Sequence, residues 1–210
     1  MSGPVPTVFV VDDEPSVLKA LSRLLRSARL NVATFDSPKE FLERHDPYAP
    51  GCLVLDVAMP GLSGLELQKT LAATGAAVPV IFLTGRADVP MSVQAMKRGA
   101  VDFLTKPLND KSLLAAVRGA IEKDHVNRQA QAERSEIQRR LAMLTPRERE
   151  VMDHIVSGQS NKQIAADLGT VEKTIKVHRA RVIEKMKVRS LAELVRLAER
   201  AAITPVPPMA

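Results

Sequence analysis

The chain has 210 residues, enough for one large domain or two small ones that each bury a core. Residues 1–124 contain 14 Lys and Arg against 14 Asp and Glu, and residues 125–210 contain 16 against 10, so the whole net charge of +6 lies in the C-terminal part. A single cysteine excludes an intrachain disulfide and a cysteine-rich zinc site, and without a membrane-length apolar stretch or a visible signal peptide we expect a cytoplasmic protein with no membrane partner.

Short apolar runs alternate with stretches of helical periodicity through the first 120 residues. We predict strands at Thr7–Val11, Asn31–Phe35, Cys52–Leu55, Val80–Leu83 and Val101–Leu104. Helices are predicted between them, near residues 15–28, 38–45, 64–73 and 89–98, and a fifth helix begins near residue 110. Five strand–helix units of this size predict an α/β fold, a doubly wound five-stranded parallel sheet of flavodoxin-like topology.

The fifth predicted helix has no clear stop signal. Residues 124–142 are rich in good helix formers and predict a helical linker, with a disordered charged tether as the alternative. Helices then follow at residues 146–157, 161–167, 172–187 and 190–201, the first of them opened by a capping box at Thr145 and Glu148. The turn at Gly169 predicts a helix–turn–helix, so we expect domains at 1–123 and 143–203 and a disordered Pro-rich tail at 204–210.

Five polar residues stand at or just past the ends of four predicted strands. They are Asp12, Asp13, Asp56, Thr84 and Lys106. Because the ligand crevice of such a sheet lies beyond the carboxyl ends of its strands, these side chains should converge there. Three carboxylates that close repel one another, and a hard cation such as Mg²⁺ would relieve the repulsion. Asp12 and Asp13 alone would fit ordinary helix N-caps, but the coincidence of all four strand ends favours a phosphoryl-acceptor site.

Residues 5–123 resemble the receiver domain of bacterial two-component response regulators, and most closely the FixJ branch. The matching segments are VFVVDDEP, LDVAMPGLSGLEL and FLTGRADVPMSVQAMKRGAVDFLTKP. The resemblance implies that Asp56 accepts a phosphoryl group from the phosphohistidine of a sensor histidine kinase. It also implies that Asp13 and Asp56 bind Mg²⁺ directly, that Asp12 assists through water and that the Ala58 carbonyl adds a ligand. Lys106 would pair with the phosphoryl oxygens.

The same resemblance implies a conformational switch. The Thr84 hydroxyl would move to bond the phosphoryl group, and the Phe103 ring would rotate inward; the alternative is that Phe103 is simply a core residue. The bond between Lys106 and Pro107 is expected to be cis. Ala58 and Arg86 should flank the site and tune the lifetime of the phosphoryl group.

Residues 143–200 resemble the LuxR-type helix–turn–helix domain. The matching segments are LTPREREVM, GQSNKQIAADLG, TIKVHRARVIEKM and VRSLAELVRLA. The recognition helix would be residues 172–187, whose positions 173, 176, 177 and 180 share one face. By the resemblance, Lys176, Val177 and Ala180 face base edges, and Ala180 offers only apolar contact. The expected phosphate contacts are Lys162, Thr174, Arg179 and Arg181.

One residue departs from this pattern. Val171 stands where the family commonly has a serine that caps the recognition helix, so Thr170 or a water molecule would have to cap it instead. His178 is either a phosphate contact or a packing residue, and we favour packing.

Together the two halves predict a phosphorylation-dependent transcriptional regulator. Its partners would be a sensor histidine kinase, promoter DNA, a second copy of itself after phosphorylation and, as a further candidate, RNA polymerase. The last helix carries Leu191, Leu194 and Val195, either as a dimer contact or as domain core. A Mg²⁺-dependent hydrolase or phosphatase is the alternative, but such enzymes of the haloacid type carry an Asp-x-Asp nucleophile on the first strand. A protein-binding adaptor is disfavoured by the basic face of the recognition helix.

Overall fold

A computed structural model of the chain describes residues 4–73, 78–85 and 89–200, without the side chains of residues 89–91. Arg86, Ala201 and the predicted tail at 204–210 lie outside the described residues. The chain divides into two compact units, Met1–Arg128 and Gln129–Ala210. Within the described ranges, every helix is too short or too polar to cross a lipid bilayer.

The first unit is a parallel five-stranded sheet in the order β2-β1-β3-β4-β5, which confirms the predicted α/β fold. Its strands are β1 (Thr7–Val11), β2 (Asn31–Phe35), β3 (Gly51–Asp56), β4 (Val80–Thr84) and β5 (Asp102–Thr105). Its helices are α1 (Pro15–Ser27), α2 (Pro38–Arg44), α3 (Gly64–Ala73), α4 (Val89–Lys97) and the first part of α5 (Asp110–Ala142).

Successive side chains of the central strands point to opposite faces of the sheet and pack into two separate cores, one on each face. Val10 and Cys52 pack with apolar side chains of α1 and α5, whereas Phe9 and Leu53 pack with those of α2 and α3. Cys52 is fully buried, and burial together with the charge of Asp124 raises its pKa to about 12. Both faces of the sheet are therefore covered, as expected for parallel strands.

Three strands end one residue later than the apolar runs that predicted them. β3 includes Asp56, which pairs with Leu83, and β4 includes Thr84, which pairs with Thr105. The apolar run ends one residue before the strand does. The last residue of each strand is polar and lies at the crevice, but its backbone still pairs with the neighbouring strand. Asp56 and Thr84 are thus held by the sheet itself and not by a loop.

The second unit is helical, as predicted. The last turns of α5 pack with α6 (Pro146–Val156), α7 (Asn161–Asp167), α8 (Glu172–Met186) and α9 (Leu191–Arg200). The capping box of Thr145 and Glu148 is confirmed, and a second box, which was not predicted, joins Ser160 to Gln163 at the start of α7. Gly169, with a φ of 61°, forms the turn between α7 and α8.

The segment predicted as a linker, 124–142, has contacts in both units. Asp124 and Arg128 bond to the first unit, and Ile137 and Leu141 are buried in the core of the second. Between these anchored turns, residues 129–135 are helical and exposed on every side.

A buried ionic clamp fastens α5 to the loop before β3. Asp124 Oδ2 accepts hydrogen bonds from Gly51 N at 2.9 Å and from Arg128 Nε at 2.7 Å. The Arg128 guanidinium also donates to the carbonyl oxygens of Tyr48, at 2.9 Å, and Ala49, at 2.7 Å. Because Asp124 is almost fully buried, its charge and the Gly51 N–H depend on these partners.

We expect Asp124→Ala to lower the free energy of unfolding of the full chain by about 3 kcal/mol, because it leaves the Gly51 N–H without its acceptor and the Arg128 guanidinium without its paired carboxylate. Urea denaturation followed by circular dichroism measures the change. Glu122→Ala, which removes an exposed carboxylate from the same helix, is the matched control and should change the value by less than about 0.5 kcal/mol. Equal stabilities for the two variants would contradict the role given to the clamp.

Candidate functional site

The structure brings the predicted site residues together at the carboxyl edge of the sheet. Asp12 follows β1, Asp56 ends β3, Thr84 ends β4 and Lys106 follows β5. Three of these residues are buried, with exposures of 1% for Asp12, 4% for Asp56 and 4% for Thr84, whereas Asp13 is exposed. The bond between Lys106 and Pro107 is cis, as predicted.

One ammonium group joins the two buried carboxylates. Lys106 Nζ lies 2.8 Å from Asp12 Oδ2 and 2.8 Å from Asp56 Oδ1. The remaining oxygens accept backbone hydrogen bonds, Asp12 Oδ1 from Glu14 N at 2.9 Å and Asp56 Oδ2 from Ala58 N at 2.8 Å. Both carboxylates are therefore oriented by the turns that follow their strands.

The charge of Lys106 is secured by the same contacts. Partial burial lowers its pKa, but the hydrogen bonds and charges of Asp12 and Asp56 outweigh that effect, so the net pKa is raised above the usual value. Lys106 therefore remains an ammonium group throughout the physiological range and can offset anionic oxygens that approach Asp56.

The donor set fits Mg²⁺ by its chemistry. Asp12, Asp13 and Asp56 carry three negative charges against the single positive charge of Lys106, and all their ligating atoms are hard oxygens. Among the described residues, no three His, Cys, Asp or Glu side chains form a ready-made metal cage. Mg²⁺ does not require one, because it keeps several waters and usually takes only one or two carboxylates.

Gly64 supports the site in a way that sequence reasoning missed. A Cβ atom built at this position would lie 2.3 Å from the Asp56 carbonyl oxygen, and Gly64 N donates to Val57 O at 3.2 Å. Only glycine allows α3 to begin this close to the end of β3. The glycine in the loop after Asp56 was visible in the sequence, but spacing alone did not indicate the contact.

Phe103 lies half-buried on β5, with its ring centroid 6.1 Å from that of Phe82 on the neighbouring strand. It packs against the core on the side of α3 and α4. This placement agrees both with a core residue and with the predicted switch, so its role stays a prediction.

The predicted recognition helix, α8, has an apolar face and a polar face. Ile175, Val182 and Met186 are buried in the core of the second unit. Of the residues predicted to contact DNA, the exposed ones are Lys162, Lys176, Val177, Ala180 and Arg181, and the half-buried ones are Thr174 and Arg179. Six of these seven residues lie on α8, and Lys162 lies on α7.

Two of these residues have partners within the unit. Arg179 Nη1 donates to Asn161 Oδ1 at 3.2 Å, which ties α8 to the start of α7. Lys176 Nζ lies 3.5 Å from Glu172 Oε1, and both side chains are well exposed. A surface pair of this kind contributes little, so Lys176 can exchange it for another partner.

The start of α8 lacks a side-chain cap. Val171 occupies the N-cap position and is exposed, and no described side chain accepts from the first turn in its place. His178 is half-buried, and its Nδ1 atom is buried without a hydrogen-bond partner among the described residues, which agrees with packing.

The apolar residues of α9 were predicted to be either a dimer contact or part of the domain core, and their burial decides this for Leu194. Leu194 is fully buried in the domain core, together with Ala198, whereas Leu191 is exposed. Leu194 is therefore core and not a dimer contact, because its side chain is already covered within the unit.

A buried ion pair joins α6 to α8. Glu148 Oε2 lies 2.5 Å from Lys185 Nζ and accepts from Thr145 N at 2.9 Å, and only 2% of the residue is exposed. The hydrogen bond from Lys185, followed by that from the Thr145 backbone, lowers the pKa of Glu148 to about 2. Sequence reasoning assigned Glu148 to the capping box but did not find Lys185.

Two family models match the chain. The response regulator receiver domain matches residues 8–118, and the bacterial regulatory proteins of the luxR family match residues 142–198. Nodulation protein W of Bradyrhizobium diazoefficiens is 47% identical over 197 residues, which cover 94% of this chain and 87% of that protein. Transcriptional regulatory protein FixJ of Azorhizobium caulinodans is 46% identical over 198 residues, 94% of each chain.

Solved structures agree with these matches. The response regulator StyR superposes with a TM-score of 0.86 at 46% identity, covering 93% of this chain and 99% of that one. Full-length FixJ from B. japonicum superposes with a TM-score of 0.58 at 42% identity, covering 96% and 100%.

Glu148→Gln tests the buried ion pair through its dependence on pH. The folded-state pKa of Glu148, about 2, lies below the ordinary glutamate value of 4.5. Its carboxylate therefore stabilises the fold fully at pH values above 4.5, and this effect is lost as the pH falls toward 2. We expect the variant to be less stable at neutral pH by about 1–3 kcal/mol, with the difference shrinking in acid. Urea unfolding over a pH series measures both.

Glu150→Gln is the matched control, because Glu150 is an exposed residue of the same helix and pairs only at the surface with Arg147. A difference for Glu148→Gln that stays constant from neutral pH down to the acid range would contradict the assignment.

Proposed function

The chain belongs to the response regulators that join a receiver domain to a LuxR-type helix–turn–helix domain, and from this premise we propose the roles of its individual residues. The family consists of phosphorylation-regulated transcription factors and not of enzymes, so the hydrolase and phosphatase alternatives are set aside. A receiver domain implies a histidine kinase as partner, and a luxR-type domain implies binding to DNA.

Asp56 is the proposed phosphoryl acceptor. The observation that carries this proposal is the Lys106 ammonium placed 2.8 Å from both Asp56 Oδ1 and Asp12 Oδ2. A carboxylate oxygen of Asp56 attacks the phosphorus of the kinase phosphohistidine, the new P–O bond forms, and the P–N bond breaks with its electron pair returning to the imidazole. Lys106 then offsets the charge on the phosphoryl oxygens.

Asp13 and Asp56 are the proposed direct ligands of Mg²⁺, with Asp12 acting through water and the Ala58 carbonyl as a further ligand. When bound, the ion neutralises charge that develops on the transferring phosphoryl group. The turn after β1 supplies two of these carboxylates, and the Glu14 and Ala58 N–H groups fix the orientation of Asp12 and Asp56. Exposed Asp13 gives the site an opening to solvent.

Thr84 and Phe103 are the proposed switch between the acceptor and the outer surface. They lie on the adjacent strands β4 and β5, so a movement of the hydroxyl toward the phosphoryl group would free space for the ring. Val93 and Met96 are exposed on α4, which gives the neighbouring surface an apolar character. We place the phosphorylation-dependent dimer contact on this surface of α4 and β5.

Helix α8 is the proposed DNA-reading element. Lys176, Val177 and Ala180 face the bases of the major groove, and Lys162, Thr174, Arg179 and Arg181 hold the phosphates. In a dimer, two copies of α8 reach neighbouring half-sites, which makes promoter binding depend on phosphorylation. RNA polymerase is a candidate partner of the complex at the promoter.

Asp56→Asn should abolish Mg²⁺-dependent phosphorylation by acetyl phosphate, because the amide oxygen is not a sufficient nucleophile. Incorporation of labelled phosphate, or the mass of the intact protein, measures the reaction. Asp36→Asn is the matched control, since Asp36 is an exposed carboxylate that follows β2 at the same edge of the sheet, and it should be labelled normally. Labelling of the Asp56→Asn protein at one site would overturn the assignment.

Lys176→Ala should weaken binding to duplexes that the wild-type chain enriches from a random-sequence library, by about 1–3 kcal/mol, and should relax specificity at one base pair. Fluorescence anisotropy at several salt concentrations measures the affinity, and circular dichroism checks the helix content. Arg181→Ala should weaken all duplexes alike and reduce the salt slope by about 1.

Arg196→Ala removes an exposed cation from α9 and is the matched control for these variants. An affinity of Lys176→Ala equal to that of the wild type would exclude Lys176 as a base contact.

A further inference from the structure

The last turns of α5 and α8 exchange hydrogen bonds. Arg140 Nη1, from α5, donates to the Met186 carbonyl oxygen at the end of α8, at 3.1 Å. In return, Lys185 Nζ, from α8, donates to the Met143 carbonyl oxygen just after α5, at 3.1 Å. Each helix therefore supplies a cation to the C-terminal end of the other.

Such an exchange satisfies a physical requirement of both helices. The last four carbonyl groups of an α-helix have no partner within the helix, and they carry the negative end of its dipole. A cation placed there forms a charge-assisted hydrogen bond and a favourable dipole interaction. We name this pair of bonds, from Arg140 to Met186 and from Lys185 to Met143, the crossed cap.

Both cations are held in place by carboxylates. Arg140 Nε lies 2.9 Å from Glu136 Oε1, one turn earlier on α5, and Lys185 Nζ lies 2.5 Å from the buried Glu148 Oε2. The Arg140 side chain is 22% exposed and the Lys185 side chain 32% exposed, so neither moves freely in solvent. The bonds of the crossed cap are thus fixed at both ends.

The apolar contacts beneath the crossed cap join the same two helices. Ile137 and Leu141 of α5 belong to one buried cluster with Ile175, Val182 and Met186 of α8. The luxR-family match begins at residue 142, so the α5 residues of this contact lie outside it.

The crossed cap lies away from the base-facing residue of α8. Lys185 follows Lys176 by nine residues, and at about 100° per residue its side chain lies on roughly the opposite side of the helix. The proposed phosphate contacts Thr174 and Arg181 are closer to Lys185 around the helix, but the Lys185 ammonium is already bound to the Met143 carbonyl oxygen and to Glu148 Oε2. A contribution of Lys185 to DNA binding would therefore act through the placement of α8 and not through contact with the duplex.

We propose that Arg140 and Lys185 are positioning residues for DNA binding, which hold the recognition helix against the last turn of α5. The inference rests on the proposed function of α8 and adds to it a contact with the last turn of α5, within the second unit. It makes DNA affinity depend on two residues that do not touch DNA.

The test compares Arg140→Met and Lys185→Met with the wild type in the full chain, on duplexes that the wild-type protein enriches from a random-sequence library. Each variant should lose about tenfold in affinity, the effect expected for one charge-assisted hydrogen bond, with the salt slope unchanged because no phosphate contact is lost. The affinity loss of the double variant should be smaller than the product of the two single losses, since both bonds connect the same two helix ends.

Arg139→Met is the matched control, because Arg139 precedes Arg140, is largely exposed and pairs only with Glu136 among the described residues. Its affinity should equal that of the wild type. Arg140→Lys, which keeps a cation near the Met186 carbonyl, should recover most of the affinity. If Lys185→Met does not fold because Glu148 is left as an unpaired buried charge, Lys185→Met combined with Glu148→Gln tests the same bond to Met143.

Several outcomes overturn the inference. Folded variants with unchanged affinity, measured well below their unfolding transitions, would make the crossed cap a purely structural contact. A salt slope reduced by about 1 would make the mutated residue a phosphate contact instead. A wild-type chain that enriches no duplex would overturn the proposed function itself, so the two failures are distinguishable.

Discussion

The ammonium group of Lys106, shared by Asp12 and Asp56, is the interaction on which the first unit depends. Two nearly buried carboxylates at neighbouring strand ends would repel each other strongly without it. The sheet order places β1 beside β3 and sets β5 two strands away from β3, so the lysine after β5 reaches back across the crevice. The fold thereby keeps a cluster in which one ammonium group balances only part of the carboxylate charge. A divalent cation could balance the rest and would also favour an incoming anionic phosphoryl group.

The second unit uses the same device for a different purpose. Glu148 is also a nearly buried carboxylate offset by one lysine, Lys185, but its oxygen is closed off by the Thr145 N–H and by the core. Asp12 and Asp56, beside Lys106, lie at the strand ends where we propose the phosphoryl-acceptor site, whereas Glu148 lies between two helices and serves to hold them together. The two pairs are equally buried, so their places in the fold distinguish them.

Much of the fold, and the meeting of four residues of the candidate site, could be predicted from local patterns. The spacing of apolar residues predicted the strands and helices. The polar residues that follow the apolar runs predicted that Asp12, Asp56, Thr84 and Lys106 lie at one edge of the sheet. Three of the five strand ends were predicted one residue too early, because apolar character is a property of side chains and the ladder is a property of the backbone. LuxR-like segments indicated α8 by resemblance.

The contacts that join distant parts of the chain were not predictable. Asp124 bonds to Gly51 and Arg140 to Met186, across separations of 73 and 46 residues, and no local spacing encodes such pairs. The role of Gly64 was not predictable for a related reason. A side chain is excluded there because the backbone of Asp56 passes too close, and local sequence does not indicate that approach. Sequence patterns describe each element well, but they do not describe how one element meets the next.

Residues 129–135 of α5 have a further consequence for the energetics of the chain. This stretch is helical yet exposed on every side, so no packed face holds its conformation. Its helicity comes chiefly from intrinsic propensity and from propagation out of the anchored turns that flank it, at Arg128 and Ile137, with a surface ion pair from Glu133 to Arg200 of α9 in addition. Composition therefore sets most of the balance between helix and coil in this stretch, and a glycine at residues 130–132 or 134–135 would shift that balance by about 1 kcal/mol without disturbing either core.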